Sequence, residues 1–147
     1  MVTRGSYCLC IRVDRDSEIK VGALGVINFP KGRYVYVGSA LNSLIPRLGR
    51  HLLTARGEGR VAHWHIDYLL REPGVEIEAI YATNWAVRIE CEIVEKVAER
   101  GEAVPRFGCS DCSCQSHLYK VKFFGFIRET GLKKVDLSTF APSPSPR

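Results

Sequence analysis

The stretch that most restricts the fold is GRYVYVGSALNSLIPRLGRH, residues 32–51. RYVYVG interleaves aromatic and β-branched residues and reads as a strand, Gly38 as a turn, and the residues after it as a helix. Ser43 is the expected N-cap, so Pro46 falls at the third helical position, within the first turn where proline is tolerated. The helix is expected to run to about Leu53 and carries Arg47, Arg50 and His51. A strand that leads into a cationic helix invites either a structural or a phosphate-handling explanation.

The rest of the chain reads as short elements in mixed order. GSYCLCIRV alternates, with Tyr7, Leu9, Ile11 and Val13 on one face of a strand. DRDS turns the chain, EIKVGALGVINF is a second, glycine-rich extended segment, and Pro30-Lys31-Gly32 turns it again. TARGEGR is a loop, and HWHIDYLLR is a short helix stopped by Pro73. VEIEAIYAT is a strand, and AVRIECEIVEKVAER is a helix ended by Gly101. FGCSDCSCQSH is a compact irregular loop before a last strand, LYKVKFFGF. Locally pairing strands with helices packed on them predict an α+β domain over residues 1–140. APSPSPR, residues 141–147, is expected to be a disordered tail.

Composition narrows the class. A chain of 147 residues, 46% hydrophobic and 25% charged, is expected to form one soluble domain with its own core. No apolar run is long enough to cross a bilayer and the N-terminus lacks a signal-peptide pattern, so the expected location is cytoplasmic, with no membrane partner. The net charge of +5 suits a polyanion, and 14 arginines against 7 lysines favour forked contacts to phosphate. Three Asn and one Gln hint at a thermophilic source. Six cysteines in a cytoplasmic chain point to free thiols or metal ligands, with Cys8, Cys10 and Cys91 expected as plain core or half-buried thiols.

Several motifs occur in a telling order. GSY lies in the first strand, YVG ends the third, and Asn42, Arg47 and His51 come after them. In this arrangement the chain resembles the GIY-YIG nuclease superfamily, and the resemblance implies a small, mainly antiparallel sheet flanked by helices. It casts Tyr7 and Tyr36 as the two motif tyrosines, Arg47 as the motif arginine and His51 as the histidine four residues on. HWHIDYLL and FGCSDCSCQSHL are similar to a small branch sometimes labelled Uri-type endonucleases, some of them fused to endonuclease III-type glycosylases. A DNA-repair glycosylase is therefore an implied associate. The stretch between Tyr7 and Tyr36 is longer than the superfamily usually shows, which predicts an intervening hairpin or loop. Arg47 also lies five positions after Asn42, one more than the common pattern.

Phosphodiester cleavage needs a base for water, a cation for the phosphoryl oxygens and, in the resembled family, a divalent metal. Arg47 and His51 are four apart and share a helix face, to which Arg50 adds a second guanidinium. A tyrosine makes a poor base unless its phenolate is stabilised, and the resemblance implies Tyr7 in that role with Tyr36 assisting. Glu90 is the expected ligand of Mg²⁺ or Mn²⁺. A family motif matches it, and the wheel sets it in one arc with Val87, Cys91, Ile93, Val94, Val97 and Ala98. Glu92 and Glu95 fall opposite. Arg47, Arg50, His63 and His65 are the expected nucleic-acid contacts, with DNA expected ahead of RNA.

Cys109, Cys112, Cys114 and His117 form a second cluster that offers a zinc site, centred on Cys112, Cys114 and His117. A packed-thiol loop is the bland alternative. Three functions stay open at this point: a metal-dependent nuclease acting on repair or branched DNA, a non-catalytic nucleic-acid-binding module, and a zinc or thiol redox protein.

Overall fold

The structure, a computed structural model, describes residues 5–40, 44–57, 62, 64–83, 90–108 and 115–140; of residues 90, 91, 139 and 140 it describes the backbone alone. The expected Ser43 cap, the 141–147 tail, and His63, Cys109, Cys112 and Cys114 lie outside the described residues.

The fold is α+β. β1 (Gly5–Val13), β2 (Ser17–Lys20), β3 (Val26–Phe29) and β4 (Gly32–Ala40) come first. α1 (Leu44–Ala55), α2 (His65–Leu70), β5 (Val75–Ala82) and α3 (Glu90–Ala98) come next. β6 (Gly101–Ala103), β7 (Leu118–Val121) and β8 (Lys133–Lys134) complete the strands among the described residues. Six of them form one antiparallel sheet in the order β6-β7-β4-β1-β5-β8. β2 and β3 form a separate hairpin, the insertion expected between Tyr7 and Tyr36.

β1 sits near the middle of the sheet, and its alternation serves two cores. Tyr7, Leu9, Ile11 and Val13 point to the face covered by α1 and α2, where Leu48, Leu52, Ile66, Leu69 and Leu70 pack. Cys8 and Cys10 point to the other face, with Val35, Val37, Phe126, Ile127 and the α3 residues Ile93, Val94 and Val97. Each such aliphatic side chain, fully buried, contributes roughly 1.5–3 kcal/mol. Burial, and Cys10 beside it, holds the Cys8 thiol protonated. Burial and then Glu78, against Lys134, push Cys10 up to about 12. Both are core thiols without the thiolate character that reactivity needs.

The structure corrects four expectations. Gly38 is not a turn, because β4 continues through it to Ala40 with Tyr7 directly opposite. Gly101 does not cap α3; the helix ends at Ala98 and Gly101 opens an edge strand that the sequence did not suggest. A Cβ there would lie 2.5 Å from the Lys120 carbonyl oxygen, so close strand approach demands glycine. The last predicted strand stops at Val121, and Gly125–Thr130 forms a 3₁₀ helix that buries Phe126 and Ile127. Ala98, placed in the buried arc of α3, is exposed at the final turn, whereas Glu92 and Glu95 are exposed as expected. Among the described residues, no helix is long and apolar enough to cross a membrane.

Candidate active site

Tyr7, Tyr36, Arg47 and His51 come from three elements and meet at one end of the sheet. Their convergence obeys local rules. Antiparallel register sets Tyr7 opposite Gly38, two residues along β4 from Tyr36 and on the same face. α1 then folds back over that face, with Leu44, Leu48, His51 and Leu52 inward at helical spacing. His51 therefore arrives over Tyr7.

The hydroxyl of Tyr7 and Nε2 of His51 are 2.8 Å apart, and both residues are buried. Nδ1 of His51 is buried with no hydrogen-bond partner among the described residues. Three aromatic rings surround the imidazole: Tyr7 at 5.5 Å, Trp64 at 5.8 Å and Tyr36 at 6.3 Å between centroids. Burial pushes the imidazole down to about 4, Arg47 and Arg50 adding to the shift and Asp67 opposing it. At neutral pH the ring is uncharged and offers a lone pair.

The depressed titration has a measurable consequence. The unfolded chain takes up the His51 proton near 6.5, the folded chain only near 4. The stabilising effect is therefore complete above 6.5, is lost as pH falls from there towards 4, and levels off below. The expected loss is at most about 3 kcal/mol. Urea unfolding of wild type and His51→Gln between pH 7.5 and 4 tests this. Equal pH slopes for the two proteins would exclude it.

Two guanidiniums border the pair. Arg47 donates from Nη1 to the Ser39 carbonyl oxygen, and Arg50 donates from Nη2 to Oδ2 of Asp67 at 3.1 Å. Both lie over the indole of Trp64, their Cζ atoms 4.9 and 4.8 Å from the ring centroid. The four-residue spacing of Trp64 and Tyr68 suggests a packed helix that happens to carry histidines, and gives Asp67 no role. Trp64 instead precedes α2 in extended conformation, and its N–H donates to Oδ2 of Asp67 at 2.9 Å. An acidic residue three positions on, before the apolar residues Leu69 and Leu70, is the capping signal in the sequence that could have found it.

His65 is half-buried and accepts the Gly108 N–H at Nδ1, 2.8 Å away, with its ring against Phe107. His117 is buried, and Nδ1 lies 3.0 Å from the Val37 carbonyl oxygen. A carbonyl has no proton, so Nδ1 is the donor. Val37 N–H to His117 O (2.9 Å) and His117 N–H to Phe107 O (2.8 Å) tie both ends of the cysteine-bearing segment beside Tyr36.

Glu90 opens α3, but its side chain is outside the described residues. The buried face of α3 packs on the side of the sheet opposite Tyr7 and His51, against β4 and β6. Among the described residues no three His, Cys, Asp or Glu side chains converge as a metal site. The donors described beside Tyr7 do not by themselves fit a divalent cation.

Over residues 6–135 the sequence matches the family model described as a domain of unknown function, DUF123. The chain belongs to this family. Neither the curated proteins nor the solved structures gave a match. The matched range of this DUF123 domain takes in Tyr7, Tyr36, Arg47, Arg50, His51, Trp64 and Asp67.

Proposed function

We propose that this chain hydrolyses phosphodiester bonds in DNA as a nuclease of GIY-YIG type. The observation that carries the reading is the buried 2.8 Å contact between the Tyr7 hydroxyl and His51 Nε2, with Arg47 and Arg50 alongside. A free phenol, with a pKa near 10, is a weak base for water. A neutral imidazole in hydrogen-bond contact gives its proton somewhere to move, so Tyr7 is the proposed water-activating group and His51 its proton acceptor. Arg47 and Arg50 are the proposed clamp on the phosphoryl oxygens, where negative charge develops.

The electrostatics favour this order of events. In the free protein the two arginines help keep His51 a weak base. A phosphate bound to them offsets their charge, so substrate arrival strengthens the acceptor. Tyr36, half-buried beside His51, is the proposed positioner of the nucleophilic water.

Mg²⁺ or Mn²⁺ enters this proposal through Glu90 alone, on the sequence pattern, and the proton transfer from Tyr7 to His51 does not depend on it. DNA in preference to RNA, and a repair setting with a glycosylase, rest likewise on the resemblance.

The test is cleavage of labelled single-stranded, duplex, flap and junction DNA with and without Mg²⁺ or Mn²⁺. Metal-dependent cutting of at least one substrate is expected, abolished in Glu90→Gln and near wild type in Glu92→Gln, whose side chain is exposed. DNA binding without cutting under every condition would replace the nuclease with a non-catalytic binding module.

A second reading has its own observation. A histidine that donates from Nδ1 to a carbonyl, as His117 does, is oriented as metal-ligating histidines commonly are. Zinc on Cys112, Cys114 and His117, with Cys109 or another residue as fourth ligand, is accordingly proposed as a brace for that loop.

A further inference from the structure

Two cations over one indole repel each other, and α1 alone does not explain why both stay there. Arg47 and Arg50 are three apart on α1, which brings them to one face but leaves long side chains free to diverge. A cation–π contact contributes only about 0.5–2 kcal/mol, comparable to the mutual repulsion it must offset. Among the described residues, α2 supplies a further restraint. Asp67 is 1% exposed, whereas its partner Arg50 is 41% exposed. Burying a carboxylate costs several kcal/mol unless it is paired and hydrogen-bonded.

One oxygen of Asp67 serves two elements. Oδ2 accepts from the Trp64 N–H at 2.9 Å and from Arg50 Nη2 at 3.1 Å. A helix-capping role accounts for the first contact only. The second reaches across from α2 to α1 and fixes Arg50 relative to the ring that also carries Arg47. Arg47 is held from the other side by the Ser39 carbonyl of β4.

We propose that Asp67 is a positioning residue, which locks Trp64 and Arg50 into one unit so that Arg47 and Arg50 present a preformed fork to a single phosphate beside His51. The inference rests on the reading that this site handles phosphodiesters. It adds the group that organises the site, on a different helix from the cations. The ligand class is a phosphate whose non-bridging oxygens are shared between two guanidiniums.

The role has a signature that a bystander acid lacks. A carboxylate next to a phosphate site repels phosphate, so its neutralisation strengthens binding if charge alone matters. A positioning carboxylate does the opposite. Asp67→Asn retains an acceptor for the Trp64 N–H and so preserves the start of α2, but it removes the charge that holds Arg50.

The experiment uses the full chain with ¹⁵N-labelled arginine. Relaxation of the Nε–H groups is recorded first, and inorganic phosphate is then titrated in. In wild type, Arg50 is expected to be ordered before phosphate is added, and Arg47 and Arg50 signals to shift with one dissociation constant. In Asp67→Asn, Arg50 is expected to become mobile and phosphate affinity to fall about tenfold. In an Arg50→Gln background the same substitution is expected to change affinity by less than about twofold. An Arg50 already mobile in wild type overturns the proposal without any variant. Equal or tighter phosphate binding by Asp67→Asn overturns it too. A wild-type protein that cuts no DNA but behaves as described with phosphate would sink the nuclease reading and support this one.

Discussion

Tyr7→Phe is expected to lower DNA cleavage by roughly a hundredfold to ten-thousandfold while the protein stays folded. The phenyl ring keeps the volume that fills the space beside His51, where the two rings lie 5.5 Å apart, so packing survives. What disappears is the hydroxyl 2.8 Å from Nε2. His51 would then be buried with both ring nitrogens unpaired among the described residues, at a cost of about 1–3 kcal/mol. The kinetic split is specific. The substitution leaves Arg47 and Arg50, the proposed phosphate clamp, untouched, so KM is expected to stay within about threefold and the loss to fall on kcat. Single-turnover cleavage measured beside urea unfolding separates the two effects. Cleavage by the Tyr7→Phe variant at the wild-type rate would remove Tyr7 from the chemistry and leave it a core tyrosine.

The parts of this arrangement that are legible in the sequence are those governed by short-range periodicity. Alternation in GSYCLCIRV puts Tyr7 on one strand face, and the four-residue spacing of Arg47 and His51 puts them on one helix face. The spacing of Ile93, Val94 and Val97 marks the buried side of α3 in the same way. What stays hidden depends on how elements meet. Nothing local distinguishes a Trp64 that packs within its own helix from one that lies under two arginines of another helix. The pairing of Asp67 with Arg50 spans α2 and α1 and has no period to betray it. Burial of β1 on both faces is only half legible: Cys8 and Cys10 read as core thiols, but the alternation marks a single face and does not show that a second core, with α3, lies behind them. Edge strands of two or three residues, such as β6 and β8, are too short to carry a pattern at all.

Gly38 reads locally as a turn, and its real constraint leads to the second large effect. It lies inside β4 with Tyr7 as its antiparallel partner, and the Tyr7 ring folds across the space where a side chain would stand. A Cβ at position 38 would be 2.6 Å from both Cζ and the hydroxyl oxygen of Tyr7. At an exposed site the ring would swing aside at little cost. Here it is 1% exposed and enclosed by close-packed neighbours, so it can move only by disturbing the core. Gly38→Ala is therefore expected to destabilise the protein by about 1–3 kcal/mol, the usual range for overpacking. It is also expected to pull the hydroxyl away from His51 and so reduce cleavage as severely as Tyr7→Phe does. A coupling measurement identifies the cause. In a Tyr7→Leu background the ring is gone, and the stability cost of Gly38→Ala should shrink to well under about 1 kcal/mol, while cleavage stays lost. The same cost in both backgrounds would mean that the glycine is required by the β4 backbone itself, and that the Tyr7–His51 contact does not depend on it.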